Sequence, residues 1–145
     1  MRDRSIGRHR SGCPISIGLE AFGDSWSLLI VRDLMLKNRR TFSNFLGAEE
    51  KIATNILSDR LARLEALGII LKRRDPADAR RFVYSLTEKG IDLAAVLVEM
   101  ILWSARHEET DAPPDVVRQM LADRQGFIDQ IRTEWKTGQA AAEAD

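Results

Sequence analysis

The hydrophobic pattern of the chain changes its period at Gly68, and this change limits the possible folds more than any other feature. Before Gly68, three leucines recur at spacings of four and three, which is typical of the buried face of a helix over residues 54–67. After Gly68, residues 69–74 and 81–86 have the composition of two strands around a loop with one proline and two aspartates. A helix, a glycine that ends it and a β-hairpin are therefore expected in this order.

Further helices are predicted on both sides of this segment. Pro14 suits the first turn of a short helix, and Thr41 is a suitable cap for another. Asp24 or Ser25 caps the helix between them, and Thr87 caps a long helix after the hairpin. The predicted helices cover residues 15–22, 26–37, 42–46, 54–67, 88–106 and 115–136, and a polar, frayed tail is expected from residue 138.

The composition is that of a folded, water-soluble protein. Of the 145 residues, 44% are hydrophobic and 30% are charged, and no apolar run reaches the roughly 18 residues that a membrane helix needs. The N-terminus is basic but lacks the apolar stretch of a secretory signal. One cysteine rules out an internal disulfide and a multi-cysteine metal site. We therefore expect a cytoplasmic protein that needs no metal or other cofactor.

The net charge of zero conceals an uneven distribution of charge along the chain. Residues 1–105 carry 17 basic and 13 acidic side chains, whereas residues 106–145 carry five and nine. The basic residues cluster in the first ten positions, at residues 37–40 and in the hairpin. Clustered positive charge is typical of a surface that contacts phosphates, although solvated surface charge would give the same pattern.

Residues 41–86 place a short helix, a turn, a longer helix and a hairpin in succession, which is the winged helix-turn-helix arrangement. In this fold the second helix enters the major groove of duplex DNA, and the hairpin, or wing, contacts phosphates or the minor groove. The expected fold class is mainly α with a small β-hairpin wing and with N- and C-terminal dimerisation helices. The residues predicted to contact double-stranded DNA are Arg39, Arg40, Thr41, Thr54, Asn55, Ser58, Asp59, Arg63, Arg73, Arg74, Arg80 and Arg81.

Several short motifs also follow one another in the order of a known family. They are Cys13-Pro14, Gly23-Asp24-Ser25-Trp26, Thr41-Phe42-Ser43, Leu57-Ser58-Asp59-Arg60-Leu61, Gly68-Ile69-Ile70 and Tyr84-Ser85-Leu86-Thr87. Over about residues 13–106 the chain resembles the HxlR-type winged helix-turn-helix regulators, a branch of the MarR-like group. The resemblance implies a transcription regulator that binds a pseudo-palindromic operator as a homodimer. Where the family has a capping serine followed by proline before the recognition helix, this chain has Ala53-Thr54, and Thr54 is the candidate replacement cap.

The long helix after the hairpin gives separate support for a homodimer. Nearly every position from 91 to 103 is apolar, and Asp92, Glu99 and Arg106 form one narrow polar stripe. A helix that is apolar on nearly all sides must be covered from two directions, here by its own domain and by a second copy. Alternatively, the last helix folds back over the long one within a monomer. The expected organisation is a flexible basic arm (1–12), a DNA-binding and dimerisation domain (13–106) and a C-terminal helical extension with a tail (107–145).

Cys13 is the candidate regulatory residue. Cations and a helix N-terminus lower the pKa of a thiol, and Cys13 follows Arg8, His9 and Arg10 and precedes the helix that begins at Pro14. The resemblance implies that some family members sense a small electrophile or oxidant through a cysteine here. Without a second cysteine, the chain can form only an intersubunit disulfide or a mixed adduct. A half-buried cysteine retained for packing is the alternative.

Two other function classes require residues that differ from those of a DNA-binding protein. An enzyme is not expected, because the sequence has neither a glycine-rich phosphate loop nor a thiol paired with a suitably placed histidine. A winged helix that binds another protein without DNA stays open. The four wing arginines favour DNA, since a protein-binding wing does not need them.

Overall fold

The computed structural model describes residues 8–144, and the side chains of residues 8–142. Within this range the chain forms eight helices and one two-stranded antiparallel sheet, the hairpin β1–β2. No helix in the described range has both the length and the apolar character that a membrane span requires. The elements are α1 (Pro14–Phe22), α2 (Ser27–Leu36), α3 (Phe42–Leu46), α4 (Thr54–Ala66), β1 (Ile70–Asp75), β2 (Asp78–Leu86), α5 (Glu88–Ile91), α6 (Ala94–His107), α7 (Pro114–Ala122) and α8 (Arg124–Ala144).

Helices α3 and α4 form the expected helix-turn-helix. Thr41 caps α3 through a reciprocal pair of hydrogen bonds with Asn44, which satisfies main-chain donors in the first turn. The three leucines of α4 are each at most 3% exposed and face the core. One expectation is wrong: the N-cap of α4 is Ala53 and has no side-chain hydrogen bond, and Thr54 is already the first helical residue. Its hydroxyl lies one position too far along the chain to act as the cap.

The hairpin follows α4 as predicted, but its turn is tighter. Gly68 adopts φ +74° between α4 and β1, a conformation that side chains with a Cβ rarely adopt. The strands pair from Ile70 opposite Leu86 to Asp75 opposite Asp78, so only residues 76 and 77 form the turn. The Asp75 carboxylate accepts a hydrogen bond from the Ala77 main-chain N–H, which closes this two-residue connection.

The long helix predicted over residues 88–106 is divided into α5 and α6. Asp92 and Leu93 form a turn between them, and the Leu93 N–H donates to the Gly90 carbonyl three residues earlier. Gly90 packs so closely on the main chain of Ile69 that a Cβ at this position would clash with the Ile69 carbonyl. This close approach fixes α5 against the base of the hairpin.

The last predicted helix is also divided, at Asp123. Here the backbone leaves the helical region (φ −154°, ψ 83°), and the Asp123 carboxylate accepts from the Gly126 N–H in the first turn of α8. Helix α8 then continues through Gly138 to Ala144, beyond the point where a frayed tail was expected. The sequence did not predict a helix break at Asp123, because no glycine or proline marks it.

Helix α8 folds back over α6 and onto the base of the wing. Two ion pairs hold α8 in this position: Arg124 Nε lies 2.6 Å from Glu99 Oε1 of α6, and Arg132 Nη2 lies 2.7 Å from Asp92 Oδ1 in the turn before α6. Ile131 is buried in the common core. The chain's own C-terminal helix therefore contacts the polar stripe that was predicted on the long helix. This agrees with the alternative given above, in which the last helix folds back over the long one.

Another face of α6 remains apolar and exposed. Trp103 is 62% exposed and Met100 is 50% exposed. On α1, Ile15 and Leu19 are 74% and 52% exposed, and none of the nine residues of this helix is buried. Exposed large apolar side chains on two helices are unusual for a folded monomer and are typical of a surface that another chain covers.

Candidate nucleic-acid interface

The solvent-facing side of α4 presents the side chains expected there. Leucines hold the opposite side in the core, so the helix is fixed in rotation as well as in position. Each member of the predicted polar face is exposed. This face consists of Thr54, Asn55, Ser58, Asp59, Ala62 and Arg63.

Asp24 connects α4 to the start of α2. One carboxylate oxygen accepts from the main-chain N–H groups of Trp26 and Ser27 at 2.8 and 2.9 Å, and the other accepts from the Ser27 hydroxyl at 2.5 Å. Arg60 of α4 donates to the same carboxylate from 3.1 Å. Burial raises the pKa of Asp24, but these hydrogen bonds outweigh burial and hold it well below its usual range. Helix α4 is thus attached to the body of the domain by a fixed negative charge.

A second connection joins α4 to α1. The Arg63 guanidinium donates to the main-chain carbonyl of Glu20, near the end of α1. Because Arg63 also lies on the exposed side of α4, one side chain belongs both to the candidate interface and to the contact with α1. A movement of α1 would therefore reach α4 directly through this contact.

The wing carries its positive charge on the outside. The side chain of Arg80 is 91% exposed, with a contact to Asp78 at 3.2 Å, and Arg81 lies 2.5 Å from Asp75. The Ala77 main-chain N–H and then Arg81 lower the pKa of Asp75, so this carboxylate stays charged and holds the turn. Because its side chain is so exposed, Arg80 can contact a molecule outside the chain.

Phe82 organises two more cations of the wing. The Lys72 ammonium lies 4.1 Å from the centre of the Phe82 ring, and the Arg74 guanidinium lies 4.9 Å from it. Cations at these distances are attracted by the negative face of the ring. Arg74 also donates to the Ala79 carbonyl at 2.6 Å, which limits the directions in which it can point.

One groove brings α3, α4 and the wing together. Its volume is about 520 Å³, and it opens between the exposed side of α4 and the outer part of the hairpin. Hydroxyl groups and cations from three separate segments therefore face a common space. The polar and charged residues that line it are Thr41, Ser43, Ser58, Glu65, Lys72, Arg80 and Arg81.

Comparison with protein families identifies the chain. A model described as HxlR-like helix-turn-helix matches residues 21–112, which is more than half of the chain. The chain belongs to the HxlR-like helix-turn-helix family. It is a transcriptional regulator of the helix-turn-helix type, as its named relatives are. Membership in the family implies DNA binding.

Known proteins agree with this assignment in sequence and in fold. An uncharacterised helix-turn-helix regulator from Synechocystis is 36% identical over 88 residues, which are 61% of this chain and 64% of that protein. The chain thus spans slightly less than two thirds of this relative. PA1607, crystallised as a candidate transcription factor, has a TM-score of 0.64 and 30% identity over 72% of this chain and 71% of its own. The redox regulator HypR in its oxidised form has a TM-score of 0.60 and 25% identity, over 68% and 100%.

In this HxlR-like regulator, four of the twelve predicted DNA contacts line the groove, namely Thr41, Ser58, Arg80 and Arg81. Six others are exposed outside it, namely Thr54, Asn55, Asp59, Arg63, Arg73 and Arg74. The remaining two, Arg39 and Arg40, have contacts elsewhere in the chain. Arg39 Nη1 lies 3.0 Å from the buried Asp33 carboxylate, and its Nη2 lies 3.0 Å from Glu49. Arg39 lowers the pKa of Glu49 to about 2, so this pair stays charged at neutral pH. Arg40 lines a different cavity, next to Gly138 of α8. The prediction that these two arginines bind DNA stays untested, and the structure gives Arg39 partners within the chain.

Eight of the twelve residues that line the groove were not among the predicted DNA contacts, and Ser43, Lys72 and Phe82 are three of these eight. Ser43 and Lys72 line it directly, and Phe82 lies beneath the Lys72 ammonium. Lys72 could have been found from its position in the basic hairpin. Phe82 could not, because strand alternation places it on the same side as the core residues Tyr84 and Leu86. It lies nearer the tip, where it is half-buried at the edge of the core.

Cys13 lies exposed at the N-cap position of α1. Glu20 contacts His9 and Arg10, the two basic residues nearest to Cys13 in sequence: His9 Nδ1 lies 2.6 Å from one carboxylate oxygen, and the Arg10 main-chain N–H donates to the other at 3.0 Å. The Arg10 main chain and then His9 lower the pKa of Glu20. Of the basic arm predicted over residues 1–12, positions 1–7 lie outside the described residues.

Proposed function

We propose that this regulator binds a pseudo-palindromic DNA operator as a homodimer. The exposed side of α4 reads base edges in the major groove, and the wing contacts phosphates beside it. The supporting observation is the groove in which Ser58 of α4 and the cations Lys72, Arg80 and Arg81 face one space. A protein-binding groove would not need three cations around it, whereas phosphates require them.

The homodimer is supported by the uncovered faces of α1 and α6. Residues 13–106, which form the proposed reading and dimerisation unit, contain both faces. A second copy is the occupant that matches them, since a two-fold operator requires two reading helices at a fixed separation of about one DNA turn. Each copy would cover on its partner the apolar surface that it exposes itself.

Loss of the wing cations is the direct test of DNA binding. We expect Arg80→Ala with Arg81→Ala to weaken binding to all duplex sequences similarly, because phosphates carry no sequence information. The slope of log affinity against log salt should fall by about one unit for each lost phosphate contact. Fluorescence anisotropy at several salt concentrations measures both quantities.

Two further variants separate charge at the wing from other effects. Arg80→Ala alone leaves the Arg81–Asp75 contact in place, so any loss it causes does not arise from a damaged turn. Arg118→Ala removes an exposed charge from α7, away from the wing, and should change neither affinity nor slope. Unchanged binding in the double wing variant would contradict the proposed role of the wing.

Loss of base contacts by α4 should have a different effect from loss of phosphate contacts by the wing. Asn55 and Ser58 are exposed on the first turns of the helix, where side chains enter the major groove. We expect Asn55→Ala or Ser58→Ala to change the sequence preference in a selection from random duplexes, with little change in salt slope. Retention of the wild-type preference would remove these residues from the reading set.

We further propose that Cys13 makes the regulator responsive to oxidants or electrophiles. The thiol is exposed at the start of α1, and Arg63 connects α1 to α4. The resemblance in fold to a redox regulator, HypR, is consistent with this role. With hydrogen peroxide, two Cys13 thiols from two copies would lose two electrons and two protons to form a disulfide, and the peroxide would be reduced to two water molecules.

Oxidation followed by reduction tests this role. We expect peroxide to produce a dimer resistant to denaturant on a non-reducing gel and to change operator affinity, both reversibly with a thiol reductant. Cys13→Ser should abolish both responses and retain the affinity of the reduced protein. An equal change of affinity in Cys13→Ser would show that the thiol is not the sensor.

A further inference from the structure

A second cavity lies on another side of the molecule, where α8 meets the helix-turn-helix body. Its volume is about 220 Å³, below the roughly 300 Å³ at which pockets for drug-sized ligands begin. Residues from α2, from β2 and from α8 contribute to it, so it exists only because α8 folds back. The residues that carry its chemistry are Leu34, Arg40, Ile91, Ile131, Glu134 and Gln139.

One part of the cavity is apolar. Leu34, Leu86, Ile91 and Ile131 all line it, and each is at least 92% buried. Trp135 completes this side, and its indole N–H is already engaged with the Leu86 carbonyl at 3.0 Å. These side chains form the apolar floor of the cavity, and polar groups such as Asn38 and Ser85 line the rest of it. The floor can therefore contact one side of a small aliphatic or aromatic group.

A cation is held at the cavity in a fixed orientation. Asn38 adopts φ 51°, and from this left-handed conformation its side-chain oxygen accepts from Arg40 Nε at 2.8 Å. The Arg40 main chain is fixed at both ends, by Asn44 Oδ1 at 3.0 Å and by the Tyr84 N–H at 2.8 Å. Among the hydrogen bonds of the described residues, none uses the two terminal nitrogens of Arg40. These nitrogens can donate side by side to a carboxylate.

An anion lies on the same cavity. Glu134 precedes Gly138 by about one helical turn on α8, and Arg40 Nη2 would lie 3.8 Å from a Cβ built on Gly138. None of the ion pairs among the described residues includes Arg40 or Glu134. The described partner of the Glu134 carboxylate is Gln130 on the same helix, at a long 3.4 Å. Two opposite charges thus border one cavity without neutralising each other.

We propose that this cavity binds a small apolar α-amino acid as a zwitterion. The ligand carboxylate would pair with Arg40, its ammonium group with Glu134, and its side chain would lie against Leu34, Ile91 and Ile131. A carboxylic acid without the amine would leave Glu134 near a second negative charge, and an amine without the carboxylate would leave Arg40 near a second positive charge. A zwitterion satisfies both ends, and an apolar side chain matches the buried part.

Titration calorimetry on the free, full-length protein tests the site without DNA, so its outcome is independent of the proposed function. The probes are L-valine, L-leucine and L-phenylalanine, which differ in the size of the apolar side chain. At least one should bind with a Kd of about 0.1–1 mM, which is reasonable for a ligand of about ten non-hydrogen atoms. For the best of them, the analogue without the amine and the amide without the carboxylate should each bind at least tenfold more weakly.

Variants assign the binding to this cavity. Glu134→Gln should weaken binding of the amino acid about tenfold, and should leave unchanged or improve binding of the analogue without the amine. Gly138→Leu directs a side chain toward Arg40 and should abolish binding. Ala140→Leu adds the same side chain at an exposed position of α8 and should bind as the wild type does. Circular dichroism and thermal unfolding establish that each variant is folded.

Three results would overturn the proposal. The first is no binding of any of the three amino acids at 10 mM. The second is binding of the amine-free or carboxylate-free analogue as tight as that of the amino acid. The third is binding that Glu134→Gln leaves unchanged and that a folded Gly138→Leu retains, because the ligand would then occupy another place.

Discussion

At the scale of single residues, Asp24 makes some contacts that the neighbouring sequence predicts and one that it does not. An aspartate before an apolar run is a common helix cap, and the sequence predicts Asp24 or Ser25 as the cap of α2. The N-cap is instead Trp26, but Asp24 still accepts from the Trp26 and Ser27 main-chain N–H groups at the start of the helix. The contact of Asp24 with Arg60 does not follow from such a pattern, since the two residues are 36 positions apart and no periodic signal connects them. The sequence therefore predicted the helix ends near Asp24 and missed the contact that joins α4 to α2.

We expect Asp24→Asn to lower the free energy of unfolding by about 1–3 kcal/mol, because charge-assisted hydrogen bonds with Ser27 and Arg60 are weakened. Asp59→Asn changes an exposed carboxylate that also contacts Arg60, and should have a much smaller effect. Urea unfolding of both variants at pH 7 provides the comparison. Equal effects of the two substitutions would contradict the role assigned to Asp24.

The same carboxylate has a defined dependence on pH. Folding lowers the pKa of Asp24 below its ordinary value of 3.8, so the folded protein binds this proton less readily than the unfolded chain does. Its stabilising contribution is complete above the ordinary value and is lost as the pH falls toward the lower folded value. The difference in stability between wild type and Asp24→Asn should therefore be constant near neutral pH and should shrink below about pH 4.

At the scale of elements, the sequence predicted the reading unit better than the C-terminal half. The hydrophobic residues of α4 and of the wing recur with clear helical and strand periods, and a glycine separates the two segments. The predicted order of these elements is confirmed. The break at Asp92 and Leu93 was missed because it arises from the close packing of Gly90 against Ile69, a contact between distant segments. The direction of α8 was also left open, since an apolar face on a helix does not specify which surface it covers.

Helix α8 should contribute measurably to stability through Trp135. This half-buried side chain packs on the core and donates to the Leu86 carbonyl at 3.0 Å. We expect Trp135→Ala to lower the free energy of unfolding by about 2–4 kcal/mol. The neighbouring Lys136 is exposed, so Lys136→Ala should change it by less than about 0.5 kcal/mol. Denaturant unfolding measures both, and a negligible effect of Trp135→Ala would show that α8 is not integral to the fold.

At the scale of the whole molecule, the proposed homodimer depends on the bare face of α6. Trp103→Glu places a charge where the partner would cover an apolar surface, and we expect it to shift the protein from dimer to monomer in sedimentation velocity. Leu121 on α7 is similarly exposed, at 56%, but lies on a different helix. Leu121→Glu should leave the dimer intact. A wild-type protein that sediments as a monomer at micromolar concentration would refute the dimer itself.

The return of α8 onto the wing base has a consequence for anyone who would graft this reading unit onto another protein. The family match ends at residue 112, and a chimaera cut there would appear complete from the sequence. Met120 and Ile131, which are 2% and 8% exposed, would nevertheless be missing from its core. The Leu86 carbonyl would also lose both of its donors from α8, Trp135 and Gln139. The transferable module is therefore longer than the motif and includes α7 and α8.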